Sequence, residues 1–186
     1  PAIAAGVLKR LARLQALDFN KSSDAAPGKI LHEIRAGEMA MLNEVPFRQY
    51  YGTVDATPLF VVLAGEYGER TGDWALVSEL WPAIERALSW LDGPADVDGD
   101  GLIEYARGAE TGLANQGWKD SHDSVFHADG RLAQGPIALV EVQGYAYAAR
   151  LAASVCARAL GLNERADALT AQAERGRQLF EQAFWC

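Results

Sequence analysis

Two stretches of this chain, FVVLAGEYGE at residues 60–69 and IALVEVQGYAYAARLAASVCA at 137–157, are apolar nearly all round and rich in small residues. A helix without a polar face has to be enclosed by other elements, so these segments predict a structure built around buried helices. Each is followed directly by a segment carrying charges along one face, at 74–91 and 164–185, which predicts a solvated partner. The chain therefore reads as pairs of one inner and one outer helix.

Local signals set the boundaries. Pro58 stands in the first turn of the first inner helix, where its missing N–H is harmless, and that helix runs from Thr57 or Pro58 to about Gly72. Asp73 is placed to cap the helix over 74–91. Pro136 opens the second inner helix, which ends near Gly161, and Asn163 caps a last helix that is still running at residue 185. Ahead of them, Ile3, Val7, Leu8, Leu11, Leu14 and Leu17 recur at steps of three and four and give an amphipathic helix over 2–18. Between the elements lie two long Gly-, Pro- and Asp-rich stretches, 19–58 and 92–135, the second holding a short extended segment at 102–105. Structureless connections beyond about 12–15 residues are uncommon in compact domains and are usually functional. Helix pairs of this kind fit an (α/α) toroid, an α-solenoid or an ordinary bundle. Because solenoid repeats keep such loops short, the long loops before each inner helix favour the toroid.

Seventeen basic against 25 acidic residues give a formal charge of -8, which argues against nucleic acid and anionic membranes as partners and leaves a neutral ligand such as sugar open. No apolar run approaches the roughly 20 residues a bilayer span needs, and no charged leader with a small-residue cleavage site is present, so a cytoplasmic location is expected. Cys156 and Cys186 have no metal-ligand or C-x-x-C spacing and read as core or terminal residues. The chain opens inside a helical pattern and stops inside another. The expectation is a single segment, 1–186, of a larger domain truncated at both ends, whose partners are the remainder of its own toroid or a second copy covering the exposed inner faces.

Chemistry-bearing side chains concentrate where the two long loops meet the inner helices. The first loop ends in Arg48, Tyr50, Tyr51 and Asp55. Asp55 reads equally as a helix cap and as a carboxylate that binds sugar hydroxyls beside tyrosine platforms. The second loop carries NQGWKDSHDS at 115–124, where one tryptophan stands among short polar and acidic residues. Asp120 or Asp123 could act there as a general acid, kept protonated by an apolar neighbour such as Trp118, while an inward Lys119 would oppose this.

Five ordered motifs, GKILHEIRAGE (28–38), YYGTVDATPLF (50–60), DVDGDGLIEY (96–105), NQGWKDS (115–121) and PIALVEVQGYAY (136–147), together resemble the bacterial amylo-α-1,6-glucosidase or glycogen-debranching-like glycoside hydrolases. The resemblance covers about residues 25–160. It implies an all-α, glucoamylase-like (α/α)6 toroid of six hairpins, present here in part, that hydrolyses α-glucosidic bonds of an oligosaccharide or polysaccharide with inversion. Asp120 matches the family's general acid and Asp55 the carboxylate holding the sugar in the cleaved subsite. Tyr51, Trp118 and Lys119 would line that subsite, with Arg48, Gln116, Glu141 and Gln143 as further substrate contacts. An inverting pair needs its carboxyl groups roughly 6.5–9.5 Å apart. No residue of this chain matches the family's general base, so the chain alone is expected to be inactive or nearly so. A carbohydrate-binding helical domain without catalysis is the alternative.

No cofactor is implied. Asp96, Asp98, Asp100 and Glu104 resemble the front half of an EF-hand loop, but Arg107 stands where the closing bidentate glutamate belongs. A structural calcium ion and a plain Asp/Gly turn both fit the spacing. His32, His122 and His127 share no metal-ligand spacing.

Overall fold

The computed structural model describes residues 1–119 and 121–185. The first amphipathic pattern forms α1 (Ala2–Arg13), five residues shorter than the expected end at 18. The helix stops because the following backbone is needed elsewhere: Ala16 N–H donates to the Lys29 carbonyl and Gly28 N–H to the Ala16 carbonyl, at 3.0 and 2.8 Å. Gln15 holds this junction, its amide donating to the Gly28 and Ala83 carbonyls and accepting from Arg86. The first long loop contains a single-turn helix, α2 (Glu38–Met41), and short 3-10 turns at Lys21–Ser23 and Pro46–Arg48.

The first pair is α3 (Ala56–Thr71) and α4 (Trp74–Leu91). Gly72, at φ 69°, takes the left-handed conformation that ends α3, and Asp73 accepts a hydrogen bond from the Leu76 N–H to start α4. The second pair is α5 (Val140–Ala159) and α6 (Asn163–Phe184), joined through Gly161 at φ 78°. Pro136 does not open α5 as expected. Residues Ile137–Ala138 form β2 and pair antiparallel with β1 (Glu104–Tyr105), so the backbone there is extended and the helix begins only at Val140. Asn163 is the first residue of α6 rather than its cap, and no side chain caps that end.

Among the described residues the fold is all-α, with one two-stranded ribbon of two residues per strand. The core lies where α3 and α5 meet. A side chain on Gly65 would stand 2.8 Å from the Ala152 Cβ, so the two helices touch nearly backbone to backbone at that point. Ala149, Ala153, Cys156 and Ala157 of α5 share this core with Ala166, Leu169 and Ala173 of α6, and Phe60, Val61, Ile84 and Leu88 fill it from α3 and α4. Burying each of the larger of these side chains contributes about 1.5–3 kcal/mol before the cost of ordering it. Arg165 of α6 grips both oxygens of Glu85 on α4, at 3.0 and 2.8 Å.

Apolar side chains stay exposed at the N-terminal ends of α3 and α5. The accessible surface is 10196 Å², against roughly 8,700 Å² expected for a compact chain of 20.1 kDa. Leu59 and Val140, in the first turns of α3 and α5, are 41% and 48% exposed. Among the described residues no helix is long and apolar enough to cross a membrane.

Candidate functional site

The residues preceding α3 form a folded arch. Tyr50 is fully buried, Tyr51 is 7% exposed with its hydroxyl donating to the Leu14 carbonyl at 2.7 Å, and Thr57 accepts from the Ile30 N–H at 2.9 Å. Asp55 occupies the N-cap position of α3 but its side chain makes no capping bond; its carboxylate accepts from the Thr53 hydroxyl instead. That leaves a half-buried carboxylate beside the positive end of a helix, with acceptor capacity in reserve.

The second loop is sewn to this arch by a backbone bond, from the Val54 N–H to the Gln116 carbonyl at 2.9 Å. One residue on either side of that bond stand Asp55 and Gly117, so the VDATPLF and GWKDS motifs meet at one edge of the fold. Asn115 shapes the turn that follows. It accepts from the Tyr105 hydroxyl at 2.8 Å and from the Gly117 N–H at 3.1 Å, and its amide nitrogen donates to the Lys119 carbonyl and the Ser124 hydroxyl. Trp118 projects from this turn 63% exposed, with the Lys119 ammonium 5.4 Å from its ring centroid. Asp120, the expected general acid, lies outside the described residues.

Glu141, in the first turn of α5, joins Asn115, Gly117, Lys119, Phe126 and Leu139 around a cavity of about 310 Å³. Its charge, after burial, helps raise the Tyr105 phenol above its ordinary range. A larger cleft of about 740 Å³ lies between the end of α1 and the first loop, lined by Arg13, Asn20, Asn43, Arg48 and Tyr51. The expected sugar contacts thus separate. Lys119, which lies over the Trp118 ring, shares the smaller cavity with Glu141, whereas Arg48 and Tyr51 line the other cleft. Gln143 has its whole amide engaged in the fold, and Gln116 its nitrogen alone, the Gln116 Oε1 being buried with no hydrogen-bond partner among the described residues. Gln116 is 2% exposed and donates to Asp24 at 3.1 Å. Gln143 accepts from the Ile103 N–H and donates to the Ile103 and Leu139 carbonyls.

The acidic turn brings Asp96, Asp98 and Glu104 oxygens within 4.8 Å of one another; Asp100 is not part of the group. Glu104 is buried, and its carboxyl is pushed above the usual range by that burial and by the charge of Asp98, against the pull of the Val97 and Asp98 N–H groups. Three convergent carboxylates suit a hard cation, with backbone carbonyls and water needed for the rest of a calcium shell. The histidines join no such group among the described residues. Cys156 is buried, which pushes its thiol up to about 11 and makes it an inert core residue.

Two contributors escaped the sequence reading. Asn115 has a recognisable signal, an Asn two residues before a Gly, the pattern of an Asx turn. Asp24 has none, because its partners are 26 to 92 residues away. No protein-family model matches this chain, and no curated protein matches it.

Proposed function

We propose that this chain is part of an α-glucoside-hydrolysing (α/α)6 toroid of the amylo-α-1,6-glucosidase type, with Asp120 as general acid and Asp55 as the carboxylate that holds the sugar. The observation that carries the reading is the Val54–Gln116 backbone bond, which sets the two motifs side by side although they are 62 residues apart in sequence. Support also comes from the pairing of helices. The two apolar helices α3 and α5 lie against each other, α4 and α6 carry the charged faces, and Asp55 and Glu141 stand at the N-terminal ends of the inner two.

In this reading Trp118 supplies an apolar platform for a pyranose ring and Lys119 is held over that platform. Asp120, the next residue in sequence, donates its proton to the glycosidic oxygen as the bond to the anomeric carbon breaks, and water attacks from the opposite face. The carboxylate that would activate this water is not assigned to any residue here. Asp96, Asp98 and Glu104 would hold a calcium ion whose role is structural, tying the turn to β1.

Calorimetric titration of the chain with glucose, isomaltose and 1-deoxynojirimycin tests the proposal. The iminosugar resembles the charged transition state, so a glycosidase site should bind it at least about tenfold more tightly than glucose. Asp55→Asn should abolish most of that affinity. Equal affinities for all three would assign the site to carbohydrate binding without catalysis, and no binding at all would refute both.

A further inference from the structure

We infer that Asp24 is the positioning residue of the second loop: its carboxylate clamps residues 108–116 onto the arch that leads to Asp55. Asp24 lies in the first loop, 9% exposed, with φ 53°. Its Oδ1 accepts from the Gly108 and Ala109 N–H groups at 2.6 and 2.9 Å. Its Oδ2 accepts from the Tyr50 hydroxyl at 2.7 Å and from Gln116 Nε2 at 3.1 Å. The same Tyr50 oxygen accepts from the Leu113 N–H at 2.8 Å, so the clamp has a second arm. Four residues of the loop, 108, 109, 113 and 116, are thus tied to two side chains of the arch.

The donor set defines what can sit at position 24. All four partners are donors, and only a group with two accepting oxygens answers all of them. An asparagine keeps the size and tolerates the left-handed backbone, yet whichever way its amide turns, the nitrogen faces two donors. The packing around the clamp leaves little slack. A side chain at Gly112 would stand 2.6 Å from the Tyr50 hydroxyl and 2.9 Å from Asp24 Oδ2, one at Gly108 would stand 2.9 Å from Oδ1, and one at Gly52 would overlap the Tyr50 ring. Burial and the Asp24 contact hold the Tyr50 phenol far above its ordinary range, so it remains a donor wherever the protein is folded.

The significance for Trp118 and Lys119 rests on the proposed sugar site, but the clamp itself does not. Hydrogen exchange on Asp24→Asn and Tyr50→Phe, read at the Gly108, Ala109, Leu113 and Val54 amides, tests the clamp. Losing two charge-assisted bonds should speed exchange at these amides by about 100-fold, while the amides of α3 and α5 stay within about threefold of wild type. Unchanged loop exchange in both variants overturns the inference. Should Asp24→Asn fail to fold, Tyr50→Phe, which removes one arm and keeps the carboxylate, carries the same test. Titration with 1-deoxynojirimycin is run alongside. A drop in affinity of about tenfold or more with the helices intact supports the positioning role, and faster loop exchange with unaltered affinity overturns the link to the site. If the wild-type chain binds no iminosugar, the glycosidase reading fails and the exchange data still decide the clamp.

Discussion

The contact between Gly65 and Ala152 fixes how closely α3 and α5 approach, and it makes a forecast opposite to that of helix propensity alone. On an isolated helix, Gly65→Ala would stabilise by about 1 kcal/mol through helix propensity. Here the new methyl would lie 2.8 Å from the Ala152 Cβ and 3.2 Å from its Cα and carbonyl oxygen. The last two are backbone atoms, so relief requires α3 and α5 to move apart. Overpacking of this kind costs about 1–3 kcal/mol, and the net effect is a loss of about 0–2 kcal/mol. Ala152→Gly alone loses propensity and one half-buried methyl, about 1–2 kcal/mol together. The double variant carries the methyl from one helix to the other, conserves volume and cancels the propensity terms. It should therefore return to within about 1 kcal/mol of wild type, giving a coupling of about 1–3 kcal/mol. Urea unfolding followed by circular dichroism measures all four proteins. A Gly65→Ala variant more stable than wild type by the full propensity gain, or a double variant as unstable as the sum of the singles, would refute the helix-on-helix packing described above.

Two further outcomes are expected. Lys29 is buried, which pulls its ammonium down to about 8 despite the raising influence of Asp24, while an unfolded lysine keeps its proton to about 10.5. The native state sheds its proton first, so stability should rise between about pH 8 and 10, by at most about 3 kcal/mol, before retention of the Tyr50 proton works the other way; Lys29→Met should flatten that rise in urea titrations across this range, and a wild-type curve already flat would sink the argument. Calcium at a hundredfold its dissociation constant should stabilise the protein by about 2.7 kcal/mol, a shift of several degrees in Tm; Glu104→Gln should abolish it, and equal melting in calcium and in chelator would remove the ion from the acidic turn.

The hairpins were legible because their signals are local. Gly72 followed by Asp73 ends one helix and caps the next within two residues, and both do in the structure what such residues do in any chain. The start of α5 was not legible, since residues 137–139 are an apolar run that reads alike as helix or strand. Pairing with Glu104 and Tyr105, more than 30 residues earlier, makes the choice. The same limit explains the two glutamines. Gln116 and Gln143 stand in motifs that suggest ligand contacts, and that Gln116 also donates to Asp24 and Gln143 to the Ile103 and Leu139 carbonyls has no local signal in the sequence. Asp24 is the extreme case, a turn residue by every local criterion and the hub of the loop by contact.

These distances in sequence bear on how a site could be built on this scaffold. The inner helices present Asp55 and Glu141 from their N-terminal ends, and their spacing follows from the close approach at Gly65. Trp118 and Lys119 belong to no helix; their position follows from the loop, and the loop is held by Asp24, Tyr50 and Asn115. A site assembled from both sources requires two independent restraints. Loosening the helices should displace the carboxylates, whereas loosening the clamp should displace the aromatic platform and leave the carboxylates where they are. The Gly65 and Asp24 variants separate the two, because each is more than 40 residues from the other in sequence and neither touches the other's contacts. If both sets of variants altered the exchange of the 108–116 loop to the same extent, the helices and the loop would be one cooperative unit, and the division of labour between them would fall.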